Sequence, residues 1–272
     1  MTDPSVSLHD DPDTPTTEGS DMTLDQQAAA VDEIADGVFR ISIHVPDVAP
    51  PAGFTFNQFL IDAEQPLLFH TGPKAMFPLV VEAVAKVRRP DQLRWITFGH
   101  YEADECGAMN LWLDLAPRSV VAANEWACTL SLFDQTARPP QVVADGEVLD
   151  LGGKRVRVVT TPHVPHNWEA QLLFEETTRT LLCGDLFAHF GNGPAVVETD
   201  MVGPAMQMED TVHQSSLSAH LGGTIRGLAD LKPTTLGVMH GSSYAGDGAG
   251  ALRLLADAYD ERVRATMGVA IS

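Results

Sequence analysis

Short apolar segments alternate with helical patterns along most of the chain. Val38–Val45, Phe54–Ile61 and Pro66–His70 are apolar or alternating and are bounded by Pro, Gly and Asp, which predicts three β-strands. Lys74–Arg88 carries apolar residues at helical spacing and predicts a helix. The same criteria predict a hairpin over Val148–Val159, helices over Ala108–Leu115, Val212–Leu231 and Gly250–Met267, and further strands at Arg94–Phe98, Ser119–Ala123, Glu169–Phe174, Thr180–Cys183 and Thr235–Met239.

This order of elements predicts an α/β protein, a sandwich of two sheets with outer helices, formed as one domain by residues 31–272. Residues 1–30 are rich in Asp, Thr, Ser and Pro and predict a flexible acidic tail. The tail has no basic segment followed by an apolar one, so a secretory signal is not expected. Ala188–Glu209, rich in Gly, Pro and Met, is predicted to be a long functional loop.

The charge of the chain limits its partners. The formal net charge is −20, which repels nucleic acids and anionic membranes, so neither is expected as a partner. No apolar run approaches the roughly 20 residues that span a bilayer. The three cysteines lack CxxC spacing, which argues against a disulfide framework, a zinc ribbon or an iron–sulfur cluster. A cytoplasmic protein is therefore predicted.

Candidate chemistry is concentrated directly after the predicted strand that ends at Phe98. His100, Glu102, Asp104 and Glu105 supply an imidazole and three carboxylates within six residues. Like charges at the end of a buried strand repel one another and are costly to desolvate. A divalent or trivalent cation, and more so a pair of cations, makes such a cluster favourable. The run predicts a metal site.

Three other segments place ligand-type residues after predicted strands. Thr160–Trp168 contains His163 and His166, Leu181–Asp185 ends at a carboxylate, and Thr235–Gly241 contains His240. Loops that follow the strands of one sheet are where α/β proteins build their sites. These segments are expected to join the first cluster.

With these motifs in this order, the chain resembles the metallo-β-lactamase superfamily over roughly residues 35–240. The superfamily carries an H-x-[HE]-x-D-H motif, then a lone His, an Asp and a final His, on loops at one edge of an αββα sandwich. Glu102 at the second motif position resembles the di-iron branch, which includes flavodiiron proteins and oxygen-binding di-iron proteins. The zinc hydrolases usually have His there.

The resemblance implies the role of each residue and leaves two departures. His100, Glu102 and Asp104 match the first three motif ligands, Asp185 matches the bridging carboxylate and His240 the final ligand. His166 matches the lone His better than His163, because it stands nineteen residues before Asp185; His163 is then a pocket residue able to transfer a proton. Glu105 stands where the family has His, and His70 stands where the superfamily commonly has an Asp.

The implied arrangement holds two metal ions. His100, Glu102 and His166 would bind one metal, and Asp104, Glu105 and His240 the other, with Asp185 between them. Three imidazoles and four carboxylates suit iron or manganese better than zinc, because hard oxygen donors stabilise higher oxidation states. Iron is the first choice, with zinc and manganese as alternatives. Glu105 would bind the second metal directly, bind it through water, or leave that position open.

Three functions from different classes remain open. The first is a di-iron oxidoreductase or carrier that binds or reduces O2 or NO, takes its electrons from a separate donor protein, and is either monomeric or a homodimer. The second is a two-metal hydrolase of an ester, thioester, lactone or phosphodiester, in which Asp104 or His163 manages the proton as a catalytic residue. The third is a non-catalytic protein whose metals hold loops together.

Overall fold

The computed structural model describes residues 28–266 and residue 268. Its first strands are β1 (Ala30–Ala35), β2 (Val38–Val45), β3 (Phe54–Ile61), β4 (Leu67–Phe69), β5 (Trp95–Thr97), β6 (Val120–Ala123) and β7 (Gln141–Val142). The later strands are β8 (Val148–Asp150), β9 (Arg155–Thr160), β10 (Gln171–Glu175), β11 (Thr180–Leu182), β12 (Val196–Val197), β13 (Thr235–Gly237) and β14 (Ser243–Ala245). The α-helices are α1 (Phe77–Ala85), α2 (Ala103–Cys106), α3 (Met109–Leu115), α4 (Glu125–Ala127), α5 (Phe133–Gln135), α6 (Val202–Val212), α7 (Leu221–Ala229) and α8 (Gly248–Thr266).

The strands form two seven-stranded sheets, with orders β1-β2-β3-β4-β5-β6-β7 and β12-β14-β13-β11-β10-β9-β8. A central apolar layer joins the sheets, because Phe59 and Phe69 of the first belong to one buried cluster with Val156 and Leu182 of the second. Helices α1 and α3 pack on the outer face of the first sheet, and α6 to α8 pack on the second. The predicted αββα sandwich is confirmed.

The sheet topology brings several loops to one edge. Strands β4 and β5 are parallel in the first sheet, as are β11 and β13 in the second. Parallel neighbours end at the same edge, so the residues that follow them lie close together. His70 follows β4, His100 follows β5, Asp185 follows β11 and His240 follows β13 within three residues.

Three elements differ from the sequence-based prediction. Ala30 begins β1, so the end of the segment predicted to be a tail is a strand, while the remainder, residues 1–27, lies outside the described residues. Helix α6 occupies the second half of the predicted loop Ala188–Glu209. The predicted helix Val212–Leu231 is much shorter, because the chain turns at His213 with φ 54° and α7 begins only at Leu221.

Two observations concern the surroundings of the protein. Across residues 28–266 and 268, the helices lack the combination of length and apolar character that crossing a membrane requires. Cys106, Cys128 and Cys183 are buried and unpaired. Burial raises the pKa of the Cys106 thiol to about 12, and nearby carboxylates add to this effect. These thiols are therefore packing groups rather than reactive ones.

Candidate metal centre

Two imidazoles from distant segments converge on one point. His100 Nε2 lies 2.9 Å from His166 Nε2, and the two rings are nearly perpendicular at 76°. Glu102 Oε2 lies 3.4 Å from His100 Nε2, and Glu102 Oε1 lies 3.5 Å from His166 Nε2. One ligand atom from each of His100, Glu102, His166 and Asp185 falls within 4.8 Å of the others. This is the spacing that donors have around a single cation.

Asp185 stands between this group and a second one. Its Oδ2 lies 3.4 Å from His166 Nε2 and 3.7 Å from His100 Nε2. Its Oδ1 lies 3.3 Å from His240 Nε2, which is also 3.3 Å from Asp104 Oδ2. Although Oδ1 is buried, no group among the described residues hydrogen-bonds to it. The two oxygens of one carboxylate therefore face two separate sets of donors.

The ring of His240 is fixed on every side. Its Nδ1 lies 2.7 Å from the carbonyl oxygen of Thr55, which leaves Nε2 directed at Asp104 and Asp185. The Phe54 ring stacks on it with 4.2 Å between centroids. Asn57 Nδ2 donates to the carbonyl oxygens of Val238 and Gly241, on either side of the histidine. A metal ligand held in this way has its orientation set before any ion binds, and its neutral form keeps the proton on Nδ1.

The structure does not bring every predicted site residue into this cluster. His163 is exposed, and its backbone N–H donates to the Asn167 carbonyl oxygen at 2.8 Å. Glu105 is fully buried, and its Oε1 lies 3.4 Å from His100 Nδ1, on the opposite side of the imidazole from the converging Nε2 atoms. The contacts of Glu105 are thus with His100 and His70, and differ from those expected of a ligand for a second metal.

A pocket of about 440 Å³ opens over the cluster and includes residues that sequence patterns did not single out. Gln214 Nε2 donates to the backbone carbonyl oxygen of Asp185 at 3.3 Å. Helix α6 supplies Met208 and Val212, and the start of β3 supplies Phe54. The only sequence signal for this wall was the position of the segment Ala188–Glu209 just after Asp185. The pocket is lined by Phe54, Glu102, Asp104, His166, Asp185, Met208, Val212, Gln214 and His240.

The charges at the site shift its pKa values strongly. Burial works to lower the pKa of His100 and of His240, but the surrounding carboxylates outweigh burial and raise each to about 10. Hydrogen bonding to His100 and His166 lowers the pKa of Glu102 to about 2 against the effect of burial. Burial works to raise the pKa of Asp185, and its imidazole neighbours reverse this and hold it well below the ordinary value. Such shifts cluster at functional sites.

The residues present fit a pair of metal ions. The two groups contain three imidazoles and three carboxylates, His100, His166 and His240 with Glu102, Asp104 and Asp185. The buried Oδ1 of Asp185 lies 3.3 Å from His240 Nε2 without an aligned hydrogen bond among the described residues, and a cation between the two atoms would satisfy both. Oxygen-rich sets of this kind suit iron or manganese more than zinc.

Metal loading at neutral pH is expected to release protons. In protein freed of metal, His100 and His240 have pKa values of about 10, so both are protonated at pH 7. A ligating imidazole must be neutral, so loading should release about two protons per chain, and affinity should rise with pH up to about 10. Calorimetric titration with Mn²⁺ in buffers of different ionisation enthalpy measures this number. Release of less than about half a proton would contradict the electrostatics described above.

Comparison with known proteins finds a matching family model and relatives of similar sequence. A family model described as ODP family beta lactamase matches residues 54–236. A protein named diflavin flavoprotein A 1 from Thermosynechococcus vestitus is 32% identical over 157 residues, which make up 56% of this chain and 27% of that protein. The chain spans less than half the length of the curated relatives that it matches.

Solved structures show the same architecture. The rubredoxin oxygen:oxidoreductase from Desulfovibrio gigas superposes with a TM-score of 0.71 at 18% identity, covering 86% of this chain and 62% of that one. A metal-soaked flavodiiron core of Flv1 from Synechocystis sp. superposes with a TM-score of 0.72 at 20% identity, covering 90% and 63%. At these identities the superpositions establish the fold.

Proposed function

Because the chain belongs to the ODP family of beta lactamases, we propose that it holds two metal ions, iron by first choice, and binds or reduces O2 or NO there. The observation that carries this proposal is the position of Asp185. Its Oδ2 faces His100 and His166, and its Oδ1 faces His240. A carboxylate that presents one oxygen to each of two imidazole groups is placed to bridge two cations.

The distances between donor atoms assign each remaining candidate ligand to one of the two metal ions. His100, Glu102 and His166 would hold the first metal, and Asp104 and His240 would hold the second. The second set has fewer protein donors than the first, which would leave room for an external ligand. A pair of iron ions would supply the one-electron chemistry that binding or reduction of a diatomic gas requires.

The residues around the cluster shape what reaches it. Phe54, Met208 and Val212 give the pocket an apolar side, which suits a small uncharged gas. Gln214 ties its loop to the Asp185 backbone and so keeps this side of the pocket in place. A diatomic ligand needs no larger recognition surface.

Electrons for reduction come, in this proposal, from a separate protein. The similar proteins include ones named diflavin flavoprotein and rubredoxin oxygen:oxidoreductase, whose names refer to flavin and to rubredoxin. A homodimer remains a sequence-based prediction. We also propose a cytoplasmic location, which is supported by three buried, unpaired thiols that suit a reducing compartment.

The hydrolase alternative is less favoured. The similar proteins named above are an oxidoreductase and flavoproteins rather than hydrolases. Of the two residues which that alternative offers for proton transfer, His163 is exposed and does not line the pocket over the cluster, whereas Asp104 lines it, so the relatives carry this preference.

The test is an anaerobic one. Protein loaded with Fe²⁺ in the absence of oxygen is mixed with O2 or NO, and zinc-loaded protein is the control. We expect an absorption change and gas uptake in the iron form alone, and no turnover of ester, thioester, lactone or phosphodiester substrates. The proposal fails if the iron form ignores both gases, or if either metal form turns over one of these substrates.

A further inference from the structure

Two buried side chains behind the cluster, His70 and Glu105, have no role in the ligand set described above. We propose that they form one coupled positioning pair that orients His100, and that Glu105 is a positioning residue rather than a metal ligand. The inference rests on the proposed function, since it concerns a ligand of the proposed first metal. It assigns a further task to the acidic motif from which the site was first predicted.

Glu105 contacts His100 at two places. Its Oε2 accepts the backbone N–H of His100 at 2.6 Å, and its Oε1 lies 3.4 Å from the Nδ1 of the same residue. One carboxylate therefore fixes both the backbone and the ring of His100. Because Nδ1 faces Glu105, Nε2 is the atom that points to His166 and Asp185. Carboxylates that orient ligating imidazoles in this way tune the metal as well as the ring.

The carboxylate packs closely against the backbone at Gly99, which directly precedes His100. A Cβ atom at Gly99 would lie 3.0 Å from Glu105 Oε2 and 3.1 Å from Oε1, closer than ordinary contact. A side chain at Gly99 would thus crowd the Glu105 carboxylate. The pocket over the cluster, in contrast, is lined by Glu102 and Asp104 and not by Glu105.

His70 completes the pair from the other side. Its Nε2 lies 3.2 Å from Glu105 Oε1, and neither atom has a hydrogen-bond partner elsewhere among the described residues. Both side chains are fully buried, so each is the polar neighbour that compensates the other. His70 adopts φ 65°, a conformation that costs a non-glycine residue free energy and persists only where the surroundings enforce it.

Asn57 connects this pair to the other side of the site. Its carbonyl oxygen lies 3.3 Å from His70 Nδ1, while its side-chain amide donates to the loop that carries His240. The support of His100 and the support of His240 therefore meet at one residue of β3.

Both members of the pair are positions at which the chain departs from the pattern that it resembles. The resembled pattern has an Asp at the position of His70 and a His at the position of Glu105, so the acid and the imidazole have exchanged positions in this chain. An acid at position 70 beside Glu105 would bury two carboxylates in contact, and a histidine at position 105 beside His70 would bury two imidazoles in contact. Both arrangements are unfavourable when the groups are charged. Together they retain one acid and one imidazole in contact.

The experiment is a double-mutant cycle on metal affinity, read by anaerobic calorimetric titration with Fe²⁺. Glu105→Gln should weaken the first binding step by about 10- to 100-fold and keep two ions per chain. His70→Asp and Glu105→His should each weaken binding similarly, and the double variant should recover to within about threefold of the parent. Glu169→Gln is the matched control, since Glu169 is also buried and accepts the neighbouring N–H of Tyr101.

The outcomes separate this inference from the function. If the Glu105→Gln variant binds Fe²⁺ as tightly as the parent, the proposed pair is wrong. The same holds if the loss of affinity in the double variant equals the sum of the losses in the two single variants. A Glu105→Gln variant that takes up only one ion per chain at saturating Fe²⁺ makes Glu105 a ligand, because a positioning residue leaves two ions per chain. Failure of the parent itself to bind Fe²⁺ overturns the proposed function instead. If His70→Asp alone does not fold by circular dichroism, His70→Gln supplies the single-variant loss, and the exchange is judged on the double variant His70→Asp/Glu105→His against Glu105→His.

Discussion

Replacing Asp185 with asparagine is expected to abolish binding of the metal pair. Asparagine keeps the size of the side chain and one oxygen, but it removes the negative charge and the second acceptor. Loss of an outer group typically weakens metal affinity by about 10- to 100-fold. Asp185 faces both donor sets directly, through Oδ2 at 3.4 Å from His166 and Oδ1 at 3.3 Å from His240. Its loss should therefore exceed about 100-fold.

Titration with Fe²⁺ or Mn²⁺ and metal analysis after gel filtration measure this loss. Asp114→Asn is the control, because Asp114 is an exposed aspartate on α3 and its replacement changes the net charge by the same amount. The control should bind like the parent. An Asp185→Asn variant that folds and still carries two ions per chain would show that Asp185 does not bridge them.

Removal of metal from the loaded protein is expected to lower its melting temperature substantially. The candidate ligands lie on four separate segments, which contain His100, His166, Asp185 and His240, so bound ions join parts of both sheets. An ion present at about a thousand times its dissociation constant stabilises the fold by about 4 kcal/mol. For a chain of this size such a change corresponds to a shift on the order of 10 °C.

Scanning calorimetry with and without a chelator measures the shift. The Asp185→Asn variant should show almost none of it, because little metal is bound to be removed. An unchanged melting temperature in the parent would mean that the ions, if they bind, contribute nothing to holding these loops. A shift of equal size in the variant would place the stabilising ion elsewhere.

The strands of the sandwich could be predicted from sequence because burial gives them a local pattern. Strands β2 and β3 run over the predicted ranges, since apolar and turn residues mark both ends. Helix α6 was predicted to be a loop, because Gly203 and Pro204 in its first turn are typical of loops although Pro is well tolerated at a helix start. The predicted helix Val212–Leu231 is interrupted because the chain turns left-handed at His213, where α6 ends, and a histidine gives no sequence signal for such a turn.

The site was predictable where its residues follow strands in a fixed order. His100, His166, Asp185 and His240 all meet, because each follows or lies near the end of a strand at one edge. The place of Glu105 was not predictable, because it depends on His70, which lies 35 residues earlier and comes into contact only in the folded chain. No local pattern reports which face of His100 a neighbouring carboxylate takes.

The most direct test of the account is elemental analysis of the protein purified without added metal, together with its absorption spectrum before and after exposure to O2. We expect close to two iron ions per chain, a fall below one in Asp185→Asn, and a spectrum that changes with reduction and O2. A zinc-only, colourless protein without a redox response would contradict it.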